Sequence, residues 1–177
     1  YRDSFGEFAR HARWYPKGFT FNSASVAIYP KWMKFMLGYL NSIVFSHLTK
    51  AVSQTLNFTV GEIAKLPVVK FSSPIQEDAV TELISISQKD WNSSESSWNF
   101  SLFPLIELEK CSLSESWGFW NRVSCDRAAR TKELERFNNS LFIEAYGLQD
   151  ELSPDVPESQ ITLTRADSEK DSQRLSS

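Results

Sequence analysis

The residue types that most often do chemistry are present in this sequence but are not grouped. His11 and His47 stand alone, and Cys111 and Cys125 have no metal-ligand spacing around them. The six glycines lie far apart, so no loop could cradle a phosphate, a dinucleotide or an adenosyl cofactor. No Ser/His/Asp or Cys/His set has supporting spacing, and the acidic pairs Glu107/Glu109 and Asp150/Glu151 read as solvated faces or caps. No catalytic, cofactor-binding or metal-ligating residue is nominated.

What remains is charge. Residues 1–70 carry nine Lys/Arg against three Asp/Glu, a net +6, whereas residues 71–177 carry −9 of the chain's total of −3. A basic half followed by an acidic one suggests nucleic-acid binding by one part only. Arg10, Arg13 and Lys17, beside Trp14 and Tyr15, are the first candidates for DNA contact, with Lys31 and Lys34 next. Such cations neutralise phosphates and release counterions, and arginine is the side chain best suited to guanine edges. The competing reading is a solvated basic face with Trp14 and Tyr15 in the core.

The elements that must position these residues follow from pattern. Trp14-Tyr15-Pro16-Lys17-Gly18 is a turn, and β-formers at Phe19–Phe21 and Ser25–Tyr29 suggest two short strands. After Pro30, apolar positions from Trp32 to Val44 repeat at three and four, predicting one helix that frays near Leu48–Lys50. Thr55–Val60 reads as a strand, and Ile63–Val69 as a closing segment with Pro67 at an edge or end. Phe71–Pro74 breaks the pattern, then Pro74–Lys89 is helical and Asp90–Trp98 is a polar loop.

Leu113 to Leu148 carries a second helical series through Leu113, Trp117, Trp120, Leu134, Leu141, Ala145 and Leu148. Gly118 and Asn138-Asn139 weaken it, so two successive helices are an alternative; Gly147 suits a cap. Ile161–Thr164 is a candidate short strand. The expected fold class is α+β: a short-stranded unit with a helix over residues 1–71, then a mostly α-helical spacer over 72–177.

With 41% apolar and 14% aromatic residues the 177-residue chain has the composition of a folded protein. No signal peptide opens it, and the apolar run 33–48 is interrupted and shorter than the roughly 20 residues of a spanning helix, so no membrane partner is expected. The sequons at Asn57, Asn92, Asn99 and Asn138 then carry no meaning, and a cytoplasmic location with free thiols is expected. Beginning at Tyr1 rather than Met, the chain reads as a piece of a longer protein.

Three stretches resemble one family. They are Phe137–Pro157 followed by Ile161-Thr162-Leu163-Thr164, the loop Asp90–Phe100, and Leu40-Asn41-Ser42 followed by Leu56–Val68. Together they are similar to the C-terminal region of the PglX-type adenine-specific DNA methyltransferases of BREX phage-defence systems. The helix bearing Asn-Ser and the following Gly…Leu-Pro segment is also similar to target-recognition domains of single-chain restriction-modification enzymes.

The resemblance implies a parent that uses S-adenosylmethionine to methylate adenine in a short site on double-stranded DNA. Its Asn-Pro-Pro-aromatic motif, which holds the flipped adenine, would lie in a methyltransferase domain upstream of Tyr1, since this chain contains no Pro-Pro. The chain would then be the rear of a target-recognition domain (1–71) and a helical spacer (72–177), partnered by that upstream domain and by other phage-defence subunits. A non-catalytic DNA-specificity or scaffold subunit is the alternative. A protein-interaction domain built on the aromatic-rich helix is a third reading.

Overall fold

The computed structural model describes residues 12–20, 26–52, 60–107 and 112–164. Six helices carry the described architecture: α1 (Met33–Leu40), α2 (Ile43–Val52), α3 (Val60–Ala64), α4 (Pro74–Asn92), α5 (Pro104–Glu107) and α6 (Leu113–Tyr146). A 3-10 turn follows at Glu158–Gln160.

The α+β expectation is wrong: no strand occurs among the described residues. Phe19, Thr20 and Val26–Tyr29 are irregular, Val60 opens a helix, Pro67–Lys70 runs without a ladder, and so does Ile161–Thr164. Phe21–Ser25 and Thr55–Thr59 lie outside the described residues. The physical reason is that β-propensity measures fit to a pleated neighbour, not a backbone preference. Ile28 and Tyr29 are exposed and meet no partner edge, so their β-forming side chains have no ladder to join.

The expected single helix after Pro30 is also two. α1 stops at Asn41 and α2 begins after Ser42. Ser42 is fully buried; its hydroxyl donates to the Tyr39 carbonyl at 2.7 Å and accepts the Phe45 amide at 3.2 Å, so it caps α2. Asn139 of α6 takes a second orphan amide, its Oδ1 accepting from Ile43 N at 3.0 Å. Both short helices bury residues in one core, Phe35, Tyr39 and Leu40 from α1 and Val44 and Phe45 from α2.

α6 is one unbroken helix of 34 residues, about 50 Å long at 1.5 Å per residue. Ser112 caps its start, accepting from Glu115 N. Gly147, at φ 67°, ends it as expected: Leu148 N donates to Ile143 O and Gly147 N to Glu144 O, the paired bonds of a Schellman motif. Asn138 and Asn139 do not break the helix. Both point inward and are buried. Asn138 Nδ2 donates to the Gly38 carbonyl at 2.9 Å, its Oδ1 accepts from Gln76 Nε2 at 3.2 Å, and Asn139 Nδ2 donates to the Pro154 carbonyl at 3.1 Å.

The main core gathers Phe35, Tyr39, Leu40, Val44, Phe45, Leu66, Phe142 and Ile143. Phe71 joins its edge, with ring centroids 5.3 Å from Phe35 and 5.1 Å from Phe142, so residues on both sides of position 71 share one cluster. The buried stripe of α6 runs through Ser116, Ser124, Ala128, Thr131, Leu134, Asn138 and Phe142. Of the helical series read from the sequence, Leu134 lies in this stripe, whereas Leu113 and Trp117 are exposed.

Candidate nucleic-acid interface

Asn41, which ends α1, also anchors the segment 12–20. Its side-chain amide mimics a backbone pairing: Ala12 N donates to Oδ1 and Nδ2 donates to the Ala12 carbonyl, both at 3.1 Å. A third bond from Nδ2 to the Leu37 carbonyl at 2.9 Å ties the amide to its own helix. The chain leaves this clamp directly into Arg13, and Arg13, Tyr15 and Lys17 are all exposed.

Gly18 then takes φ 97°, a region that side-chain-bearing residues rarely adopt, and closes the turn predicted from Pro16-Lys17-Gly18. The turn brings Tyr15 and Phe19 together, with ring centroids 5.6 Å apart at 44°. Phe19 in turn meets Trp98, at 6.1 Å and 36°. Trp98 sits in the loop that follows α4, which is tied by its serines. Ser93 Oγ donates to Asp90 O, Ser97 Oγ to Asn92 Oδ1, and Ser97 Oγ accepts from Asn99 N.

These contacts do not bury the rings: Tyr15 is 59%, Phe19 53% and Trp98 93% exposed. Tyr15 is thus no core residue, and Trp14 is half-buried. Sequence reasoning singled out the turn and the tryptophan loop separately and did not foresee that they meet. Nothing local to either segment encodes that contact.

Of the other candidates, Lys31 is exposed just before α1 and Lys34 is half-buried in its first turn. Arg10 lies outside the described residues. None of Arg13, Lys17, Lys31 and Lys34 forms an ion pair among the described residues. Lys70, not nominated from sequence, holds its Nζ 3.5 Å from the centroid of the Trp32 ring, a cation–π contact beside the start of α1.

Other polar groups join one element to another. Arg130 of α6 forms a two-pronged pair with Glu82 of α4, at 2.8 and 2.9 Å, and also reaches Glu133 at 3.0 Å. The hydrogen bonds from Arg130 hold the Glu82 carboxyl below its ordinary range, and those carboxylates push the guanidinium up. Burial raises the Asp90 carboxyl despite hydrogen bonds from Thr164 N and Oγ1 and the charge of Arg127. Burial likewise raises the Tyr39 hydroxyl, which donates to the Pro67 carbonyl at 2.9 Å. Tyr146 donates to that same carbonyl at 2.6 Å and accepts from Val69 N, fixing the Leu66-Pro67-Val68 segment from two helices.

Among the described residues no group of three or more His, Cys, Asp and Glu could hold a metal, and no helix is long and apolar enough to cross a membrane. An apolar depression of about 370 Å³ is lined by Leu105, Leu113, Ser114 and Trp117. It offers no carboxylate to ribose hydroxyls and no glycine turn, and does not fit an adenosyl cofactor.

No family model matches the chain. It is 33% identical over 168 residues to an adenine-specific methyltransferase PglX of Lacticaseibacillus casei (strain Zhang), covering 90% of this chain and 14% of that protein. It is 30% identical over 142 residues to an adenine-specific methyltransferase BrxX of Escherichia coli O9:H4 (strain HS), covering 77% of this chain and 12% of that protein. The chain thus spans about one seventh of the length of the PglX relative.

Proposed function

The chain is, over most of its length, a relative of the BREX-type adenine-specific methyltransferases, and from that premise we propose that it is a DNA-contacting and helical-spacer portion of a longer site-specific DNA adenine methyltransferase of phage defence. The observation that carries the reading is the PglX match across 90% of this chain. S-adenosylmethionine would supply the methyl group to the whole enzyme. Among the described residues, the apolar lining of the depression at Leu105, Leu113, Ser114 and Trp117 does not suit that cofactor. The catalytic domain, with its Asn-Pro-Pro-aromatic motif, is proposed to lie upstream in the same polypeptide.

The work of this portion is binding and positioning. Exposed Arg13 and Lys17 meet phosphates, and the Asn41 clamp on Ala12 fixes where their segment starts, so the ordering cost is met by the fold before DNA arrives. Lys31 and Lys34, near the start of α1, extend the basic surface. α6 spans the unit as a spacer about 50 Å long.

The test is the affinity of the chain for duplex DNA as a function of salt. Affinity is expected to fall linearly in log–log form as phosphate neutralisation requires, and Arg13→Ala or Lys17→Ala each to flatten the slope by about one unit. Absence of binding at low salt, or binding indifferent to salt, would sink the reading. The alternative is a non-catalytic specificity or scaffold subunit. A reading frame preceding the chain that lacks Asn-Pro-Pro followed by Tyr or Phe would select it.

A further inference from the structure

We propose that Tyr15, Phe19 and Trp98 form a stacking platform for unpaired DNA bases, with Arg13 and Lys17 holding the adjoining phosphates. The inference rests on the reading of this chain as DNA-contacting and says which state of the DNA it holds at this place.

Three rings from two segments about 80 positions apart in sequence stand in file, with neighbouring centroids 5.6 and 6.1 Å apart, yet all three remain more than half exposed. An aromatic side chain that serves only the fold buries its faces, as Phe142 does among Phe35, Tyr39 and Phe71. Here the faces are open while their backbones are held. Gly18 sets the turn between Tyr15 and Phe19, the Asn41 clamp fixes its base, and serine hydrogen bonds fix the Trp98 loop. An open but fixed ring loses little entropy when a flat partner stacks on it.

The charge around the rings selects the partner. Arg13 and Lys17, both exposed, flank Tyr15 on the same segment, so the occupant is a polyanion with flat π-faces. Glu95, the acid in the tryptophan loop, is exposed and disfavours phosphate on that side, so the strand is expected to run along the 12–20 segment. A paired duplex shows base edges in its grooves and keeps base faces stacked inside. Only unpaired bases can offer a face to these rings.

The test compares the full chain binding to a short labelled duplex and to the same duplex carrying a central run of unpaired thymidines, with identical ends and salt. The bulged duplex is expected to bind about tenfold more tightly, as stacking of a base on an aromatic ring allows. Trp98→Ala and Phe19→Ala should abolish that preference while leaving affinity for the paired duplex unchanged, and Trp98→Phe should keep most of it. Lys17→Ala should weaken both DNAs alike. Equal affinity of the unaltered chain for the two DNAs overturns the platform and leaves the rings to a protein partner, with the duplex-binding reading intact. An equal loss on both DNAs in Trp98→Ala also overturns it. Failure to bind either DNA at low salt removes the DNA-contacting reading and the platform with it.

Discussion

At single residues, small polar side chains set the packing in places where a sequence pattern shows only interruptions. Gly38 lies where α1 meets α4 and α6, and a Cβ there would collide with Gln76 Nε2 and Asn138 Oδ1. Gly38→Ala gains helix propensity of up to about 1 kcal/mol but must displace two buried, hydrogen-bonded amides. Overpacking is expected to win, with a net loss of about 1–3 kcal/mol in urea unfolding. Asn138→Ala leaves the Gln76 amide and the Gly38 carbonyl without their partner and is expected to cost about 3 kcal/mol. The double variant should cost less than the sum, because removing the Asn138 amide makes room for the new methyl. Additive losses would show that the two do not share one space.

The elements were legible where their signals are local. α4 has Ser73 as cap and Pro74 in its first turn, and the sequence marks its start to the residue. The end of α6 was equally plain in Gly147. The break between α1 and α2 was not. Its determinants are Ser42, which is local, and Asn139, which lies almost a hundred positions away. Long-range satisfaction of backbone groups leaves no periodic trace. The same applies to the strands that do not form among the described residues, since no window around Val60 or Ile63 records that a neighbouring edge is missing.

Two carboxylates that join elements should respond to acid in opposite senses. Glu82, on α4, is held below its ordinary 4.5 by Arg130 of α6, so its contribution is present above that value and lost as pH falls through the lowered one. The stability difference between the unaltered chain and Glu82→Gln should therefore shrink on acidification. Asp90 is raised above its ordinary 3.8 by burial, so the folded chain binds its proton more readily than the unfolded chain does. The difference between the unaltered chain and Asp90→Asn should move in favour of the unaltered chain as pH drops toward 3.8. Urea midpoints across the acid range read both, and parallel trends would contradict the assignments.

For the molecule as a whole, the division of charge in the sequence and the geometry bear on the same proposal. The basic half supplies the clamped segment and the lysines near α1, and the acidic half supplies α4 and α6 and the loop that brings Trp98 to Phe19. The exposed apolar residues Leu102, Phe103, Ile106, Leu113 and Trp117 gather around α5 and the start of α6. A surface of this kind is prone to association. The chain alone is expected to self-associate with rising concentration, and Leu113→Lys with Trp117→Lys to suppress this in sedimentation without lowering the urea midpoint.

The claim that this portion binds and positions DNA while another performs the transfer is most directly tested by methylation kinetics in the longer polypeptide proposed to contain it. Arg13→Ala combined with Lys17→Ala should raise KM for DNA several-fold, with kcat and KM for S-adenosylmethionine unchanged. A fall in kcat at unaltered KM for DNA would place these residues in the chemistry and contradict the account.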